Sequence, residues 1–174
     1  QVTPPFEDAL EVGVGTGRFA QALGVKLGLE PSSGMAAYAR ARGIEVVEGF
    51  AEALPFENES FDAVFMITVD CYLEELSPVL NECHRVLSPH GHLILGHVDI
   101  DAPLGAVYEE ERDQDPFYKN AYFRGTKEML TELDRAGFEL VKIRQTVFTF
   151  ENVAQEVREG HGDGVFVAMC AVKP

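Results

Sequence analysis

The sequence predicts an α/β protein: a doubly wound sheet of seven strands, mostly parallel with the last strand antiparallel, and helices on both faces. Three observations predict it. Short β-rich runs alternate with stretches of helical periodicity along the chain. The first run, Ala9-Leu10-Glu11-Val12-Gly13-Val14, leads straight into glycines spaced two apart at 13, 15 and 17, as a buried parallel strand does where a tight turn feeds a helix. No repeat, low-complexity tract or composition break divides the 174 residues, so they read as one domain, 1–174, long enough for a real core.

The elements follow in order. Residues 9–14 form the first strand, and a very short helix follows near 18–23. The second strand covers 25–30. A helix over 33–42 ends ahead of Gly43, which suits the left-handed cap position. Residues 44–47 form the third strand. The fourth, 62–68, is a nearly unbroken apolar run that fits a central strand buried on both faces. Over 74–87, Leu76, Val79, Leu80, Cys83, Val86 and Leu87 keep helical spacing on one face, before Pro89 and Gly91 break the chain. The fifth strand is 92–98. Residues 99–125 form an insertion of irregular pattern, rich in charge and aromatic rings. Thr126 is a good N-cap for a helix through 135 that Gly137 closes. Strands six and seven, 140–150 and 164–172, have no helical pattern of length between them and are expected to pair antiparallel.

A formal charge of −15 repels a polyanion at long range, which disfavours nucleic acid as a partner. No apolar run approaches the ~20 residues that a membrane span needs. Cys71, Cys83 and Cys170 are scattered, with no Cys-x-x-Cys pair for zinc or redox chemistry. Free thiols in a reducing cytoplasm account for them. The histidines at 90, 92 and 97 lack a carboxylate or cysteine at zinc-ligand spacing, so no metal site is expected. The chain opens on Gln1 rather than methionine, which leaves room for a further N-terminal segment.

The glycine run carries the strongest functional signal. Glycine lets a ligand lie directly on the backbone, and the amides that open the next helix are expected to point into the same space. The dinucleotide fingerprint Gly-x-Gly-x-x-Gly fits poorly, because its third glycine falls on Arg18. The run Glu11-Val12-Gly13-Val14-Gly15-Thr16-Gly17 instead resembles motif I of class I S-adenosylmethionine (SAM)-dependent methyltransferases, acidic-x-Gly-x-Gly-x-Gly. Three further segments are similar to that family. Glu30-Pro31-Ser32-Ser33-Gly34-Met35 resembles its acid-x-Ser-x-x-Met. Gly49-Phe50-Ala51-Glu52-Ala53-Leu54-Pro55-Phe56 with Ser60-Phe61-Asp62 resembles Gly-Asp-Ala-Glu-x-Leu-Pro-Phe…Ser-Phe-Asp. Glu82-Cys83-His84-Arg85-Val86-Leu87-Ser88-Pro89-His90-Gly91-His92-Leu93 resembles Glu-x-x-Arg-Val-Leu-x-Pro-Gly-Gly-x-Leu. The likeness is close from Ala9 to about Val98, and greatest to the small-molecule branch of ubiquinone and menaquinone biosynthesis.

The resemblance implies a Rossmann-like fold, SAM as cofactor and methyl transfer to a small-molecule acceptor. It implies that Glu11 meets the α-ammonium of SAM, that Gly13, Gly15, Thr16 and Gly17 let the cofactor approach, and that Glu30 takes both ribose hydroxyls. Pro31 and Ser32 flank that carboxylate and Met35 packs on the adenosine. The competing readings are a helix-start acid for Glu30 and an ordinary core methionine for Met35. Phe50 stands where the family has an adenine-reading Asp, so the expected substitute is the backbone of Ala51, or Glu52, or else Phe50 itself packing at the adenine edge. Thr68 and Val69 open a loop that in the family faces both cofactor and acceptor, and Cys71 and Tyr72 replace its paired histidines. No residue is an obligatory base. Asp70 is the first candidate by position, with Tyr72, His97 and Tyr118 behind it. Asp70 reads equally as a hydrogen-bonding residue at a helix start. The run Phe117-Tyr118-Lys119-Asn120-Ala121-Tyr122-Phe123 lies where the family builds its acceptor lid; the rings either cover a planar or apolar substrate or plug a local core. Two alternatives remain open. One is a SAM-binding protein without catalysis, motivated by Phe50 and the short first helix. The other is a nicotinamide-nucleotide oxidoreductase.

Overall fold

A single mixed sheet organises the chain, whose computed structural model describes residues 2–114, 116 and 118–174. Its strands are β1 (Ala9–Val12), β2 (Leu27–Leu29), β3 (Glu45–Val47), β4 (Phe61–Ile67), β5 (Leu87–Val98), β6 (Glu139–Thr146), β7 (Arg158–Glu159) and β8 (Phe166–Val172). They lie side by side in the order β3-β2-β1-β4-β5-β8-β6-β7. The first five are mutually parallel. The last strand of the chain, β8, runs antiparallel between β5 and β6, as the missing crossover helix predicts. From β1 the chain winds outward to β2 and β3, then returns to lay β4 and β5 on the other side. The order reverses between β1 and β4, which opens a crevice at their carboxyl ends.

Helices cover both faces. Beneath one lie α1 (Arg18–Leu23) and α2 (Ser33–Ala41), whose Ala20, Ala36 and Ala39 pack against Ala9, Ala63 and Phe65 of the sheet. Across the other lie α3 (Ser77–Val86) and α5 (Thr126–Arg135), which bury Val79, Leu80, Cys83, Met129 and Leu133 against Leu10, Val12, Val64 and Met66. Alternate residues of β1 and β4 therefore serve opposite cores, which is why these strands read as unbroken apolar runs. The insertion carries α4 (Gly105–Glu111) and a 3-10 turn, Arg112–Gln114.

The structure departs from the sequence expectation at five places. The sixth strand, expected over 140–150, ends at Thr146, where Val147 takes a φ of +63°. The eighth strand, β7, is a two-residue edge pairing Arg144 and Gln145 of β6. Expected at Glu74, α3 begins at Ser77: the carbonyls of Leu73 and Glu74 are taken by the Arg124 guanidinium at 2.8 and 2.7 Å, and Pro78 suits only a first turn. Strand β5 starts at Leu87 rather than His92, because Pro89 and Gly91 sit in a register shift against β4 instead of ending the strand. Finally, Gly125 occupies the N-cap of α5 in place of Thr126. Asp99 supplies the capping oxygen: its Oδ1 accepts the Thr126 amide at 3.1 Å and its Oδ2 accepts the Thr126 hydroxyl at 2.7 Å.

The Glu82-x-x-Arg85 segment has a structural task. Arg85 forks onto Glu82 and donates to the carbonyls of Leu54 at 2.9 Å and Phe56 at 2.8 Å, while Glu82 accepts the Leu54 amide at 2.7 Å. The pair pins the loop between β3 and β4 to α3.

Candidate functional site

A cleft of about 590 Å³ opens at the reversal of strand order. Glu11, Gly13, Val14, Gly15 and Thr16 form one wall, Glu30, Pro31, Ser32 and Met35 a second, and Thr68, Val69 and Tyr72 a third. Ten of these are sequence candidates from the glycine turn, the end of β2 and the end of β4, brought together from three strand ends as the topology requires. Tyr72, proposed from the sequence as a base, is the eleventh.

The glycine turn closes largely on itself. Gly13 and Val14 both donate to the Leu29 carbonyl at 2.9 and 3.0 Å, and Gly17 donates to the Val14 carbonyl at 2.8 Å. Gly15 donates to Glu30 Oε2 at 2.9 Å. These four amides are thus committed within the protein; the amides that open α1, from Arg18 on, are not among them. What the turn offers is bare backbone. Gly15 has φ +53°, and a Cβ built there meets nothing nearer than the Gly13 carbonyl oxygen at 4.0 Å. Gly17 differs: its missing Cβ would sit 3.0 Å from Ala39, so it serves the packing of α1 on α2 and does not line the cleft.

Glu30 is buried, and its second oxygen accepts the Ser32 amide at 3.0 Å. It therefore bridges the glycine turn to the start of α2, and each oxygen keeps a further lone pair. Ser32 caps α2 by accepting the Met35 amide at 3.3 Å, which leaves the Met35 side chain 39% exposed on the cleft wall and outside the core. At the base, Glu11 is 1% exposed and its Oε2 has no hydrogen-bond partner among the described residues. Burial pushes its carboxyl up to about 8, against the lowering effect of the Ala20 backbone. A buried, unpartnered carboxylate oxygen on a cleft wall suits a cationic group. Thr68 holds φ +53°, rare for a β-branched residue, where β4 turns into the third wall.

Ala51 is buried in the core and Glu52 is exposed; neither lines the cleft. Phe50 is also exposed. Asp70 and His97 lie behind the wall, both buried. Because the Thr126 hydroxyl donates to Asp99, it accepts from His97 Nε2 at 2.9 Å. That leaves Nδ1 as the unprotonated nitrogen, without a hydrogen bond among the described residues and 3.8 Å from Asp70 Oδ2. Burial pushes His97 down to about 4 and Asp70 up to about 6. A neutral imidazole at that distance makes a polar contact, not an ion pair. The thiols of Cys71 and Cys83 are pushed up to about 12, chiefly by burial.

Sequence reasoning missed Val14, Ile67, Phe19 and Pro116 as lining residues, and met Arg18 only as a misfit to the dinucleotide fingerprint. Phe19 is legible once α1 is placed, since it follows the last glycine by two residues; Pro116 carries no such signal. Of the aromatic run, Phe117 lies outside the described residues. Tyr118 and Phe123 pack on each other at 5.4 Å and on Tyr108 of α4. Among the described residues no group of three or more His, Cys, Asp or Glu side chains is placed to hold a metal ion, and no helix is long and apolar enough to cross a membrane.

Residues 10–95 match the methyltransferase domain family. A crystal structure of a SAM-dependent methyltransferase from Thermotoga maritima, described as a possible histamine N-methyltransferase, superposes with a TM-score of 0.95 at 41% identity, covering 99% of this chain and 84% of that one. This chain belongs to the SAM-dependent methyltransferases. An uncharacterized protein of Methanocaldococcus jannaschii is 42% identical over 171 residues, 97% of this methyltransferase and 83% of the relative. Three mycobacterial relatives, all uncharacterized, are 35% identical over 170 residues, and the chain spans 59% of their length. A malonyl-[acyl-carrier protein] O-methyltransferase of Methylococcus capsulatus is 30% identical over 151 residues, 80% of this chain and 54% of that protein. The mostly parallel sheet with its reversed last strand is the fold of this family.

Proposed function

We propose that this chain transfers the methyl group of SAM to a small-molecule acceptor, with the cofactor in the cleft between β1 and β4. The observation that carries the reading is Glu11: a buried carboxylate oxygen without a hydrogen bond among the described residues, on the wall of a cleft floored by the bare backbone of Gly15. Glu11 would take the α-ammonium of the cofactor, and Gly13, Gly15 and Thr16 its close approach. Glu30 would accept ribose hydroxyls with its remaining lone pairs while holding the turn. Pro31, Ser32 and Met35 would border the adenosine. Arg18, which stands where the dinucleotide fingerprint needs its third glycine, supports this reading over a nicotinamide dinucleotide. SAM supplies a methyl group on a sulfonium, already activated toward a nucleophile.

The chain's own contribution is placement. Thr68, Val69 and Tyr72 form the wall toward the acceptor, and holding the nucleophile in line there supplies much of the rate. Of the base candidates, Tyr72 alone stands on the cleft wall; Asp70 and His97 lie buried behind it, and Arg124 holds the loop that carries it. The charge of −15 and the three free cysteines support a small acceptor rather than nucleic acid, in a reducing compartment.

The test is calorimetric titration with SAM, S-adenosylhomocysteine and NAD. Micromolar binding of the first two and none of the third is expected. Gly15→Val, whose side chain would stand in the cleft, should abolish that binding; a folded variant with wild-type affinity overturns the assignment.

A further inference from the structure

A second pocket, of about 190 Å³, opens between the insertion and the loop that follows β6. Its lining is Val107, Tyr108, Glu111, Tyr118 and Phe150. Tyr108 is the hub. Its ring centroid lies 5.8 Å from Tyr118 and 6.1 Å from Phe150, with planes inclined by 73° and 50°. Phe123 backs it at 6.1 Å. Glu111 stands three residues beyond Tyr108 on the same helix, so its carboxylate shares the face that carries the ring.

This combination selects one ligand chemistry. Mutually inclined rings present π-faces from several directions, and such faces attract a positive charge spread over carbon-bound hydrogens. The carboxylate repels anions and attracts a cation more strongly than any neutral ligand. A hard metal ion needs six or more oxygens, which an aromatic wall lacks. The neighbouring guanidinium of Arg112 pairs with Glu109 at 3.1 Å and approaches Asp113 at 3.7 Å, and is not part of the lining. The net charge of −15 adds long-range attraction for a cation.

The pocket adjoins the cofactor cleft. Pro116 lines the cleft and Tyr118 lines the pocket, and two residues of chain span at most about 7 Å. We propose that this pocket is the subsite for a cationic group of the methyl acceptor, a protonated amine or quaternary ammonium. Its role in acceptor binding rests on the methyltransferase reading; its affinity for an organic cation does not.

The probes are choline and its neutral carbon isostere 3,3-dimethylbutan-1-ol. Each is titrated calorimetrically into the full chain, free and saturated with S-adenosylhomocysteine. Choline is expected to bind at least about tenfold tighter than the isostere, equally well in both forms of the protein. Glu111→Gln, an exposed change, and Tyr108→Leu should each weaken choline about fivefold or more and leave S-adenosylhomocysteine binding unchanged. Equal binding of the two probes overturns the proposal, as does choline binding that Glu111→Gln leaves intact. Displacement of choline by S-adenosylhomocysteine also overturns it, since the cation then sits against Glu11. If S-adenosylhomocysteine fails to bind, the cofactor reading falls, while the Glu111→Gln comparison on the free chain still decides the pocket.

Discussion

Glu11 and Glu30 are both carboxylates at strand ends, yet their surroundings give them different tasks. Burial holds the Glu11 carboxyl near 8, well above the usual 4.5. Between those values the folded chain binds a proton here that the unfolded chain does not, so this group's contribution to stability falls as pH rises through that window. A cation seated against Oε2 favours the ionised form. SAM binding at about pH 6.5, where an α-ammonium is fully charged, should therefore release about one proton from Glu11. Titration in phosphate and in imidazole, which both buffer at that pH and whose ionisation heats differ, counts it. A count of zero would mean that Glu11 stays neutral in the complex and does not hold the ammonium. Glu30 already spends two lone pairs on Gly15 and Ser32. Glu30→Ala removes the tie across the turn as well as the ribose acceptors, and should weaken SAM binding by about 1–3 kcal/mol. Unchanged affinity in a folded variant would leave it a purely structural bridge. The candidacy of Glu30 is legible in the sequence, because an acid at the carboxyl end of a parallel strand falls where open α/β sheets bind their ligands. That it grips Gly15 is not legible, because only the fold brings the two together.

At the scale of elements, the parallel half of the sheet is readable because each strand, turn and helix there announces itself within a few residues: the apolar run into Gly13, Gly43 after α2, the buried run of β4. What escaped reading is held by long-range bonds. Arg124, at the end of the insertion, is buried and donates to the carbonyls of Asp70, Tyr122, Leu73 and Glu74. Those bonds fix the 3-10 turn Asp70–Tyr72 and delay α3, and no local pattern around Glu74 discloses them. Thr126 looks like an N-cap, but Asp99 from the end of β5 caps α5 in its place and ties in His97 through the same hydroxyl. The two residues of β7 are too few to show alternation. Tyr108 and Phe150 meet without any shared motif, so of the second pocket only Tyr118, within the aromatic run, was marked in the sequence. Arg124→Met keeps the aliphatic stem and removes the donors. It should cost about 3 kcal/mol by leaving several carbonyls unsatisfied, read as a lower midpoint in urea unfolding. A loss under about 1 kcal/mol would mean that water replaces the guanidinium there.

For the whole molecule the dominant fact is charge. Fourteen basic residues stand against 29 acidic ones, so at least fifteen carboxylates have no basic partner of their own. The ion pairs that do form are mostly exposed, such as Arg40 with Glu48 at 3.1 Å and Arg135 with Glu132 at 2.6 Å, and exposed pairs contribute little. Net repulsion among surface carboxylates therefore outweighs pairing, and the compact state bears more of it than the expanded chain. Raising sodium chloride from about 20 mM to about 300 mM shortens the screening length from about 20 Å to about 6 Å. The expected result is a higher melting temperature, by about 3 °C for each kcal/mol of repulsion relieved. A fall would mean that exposed ion pairs, not repulsion, dominate the surface. The same salt should weaken choline binding relative to 3,3-dimethylbutan-1-ol, because the field that stresses the fold also gathers cations toward Glu111. Stability and cation affinity thus respond to salt in opposite directions. A surface arranged only for solubility would show the first effect without the second.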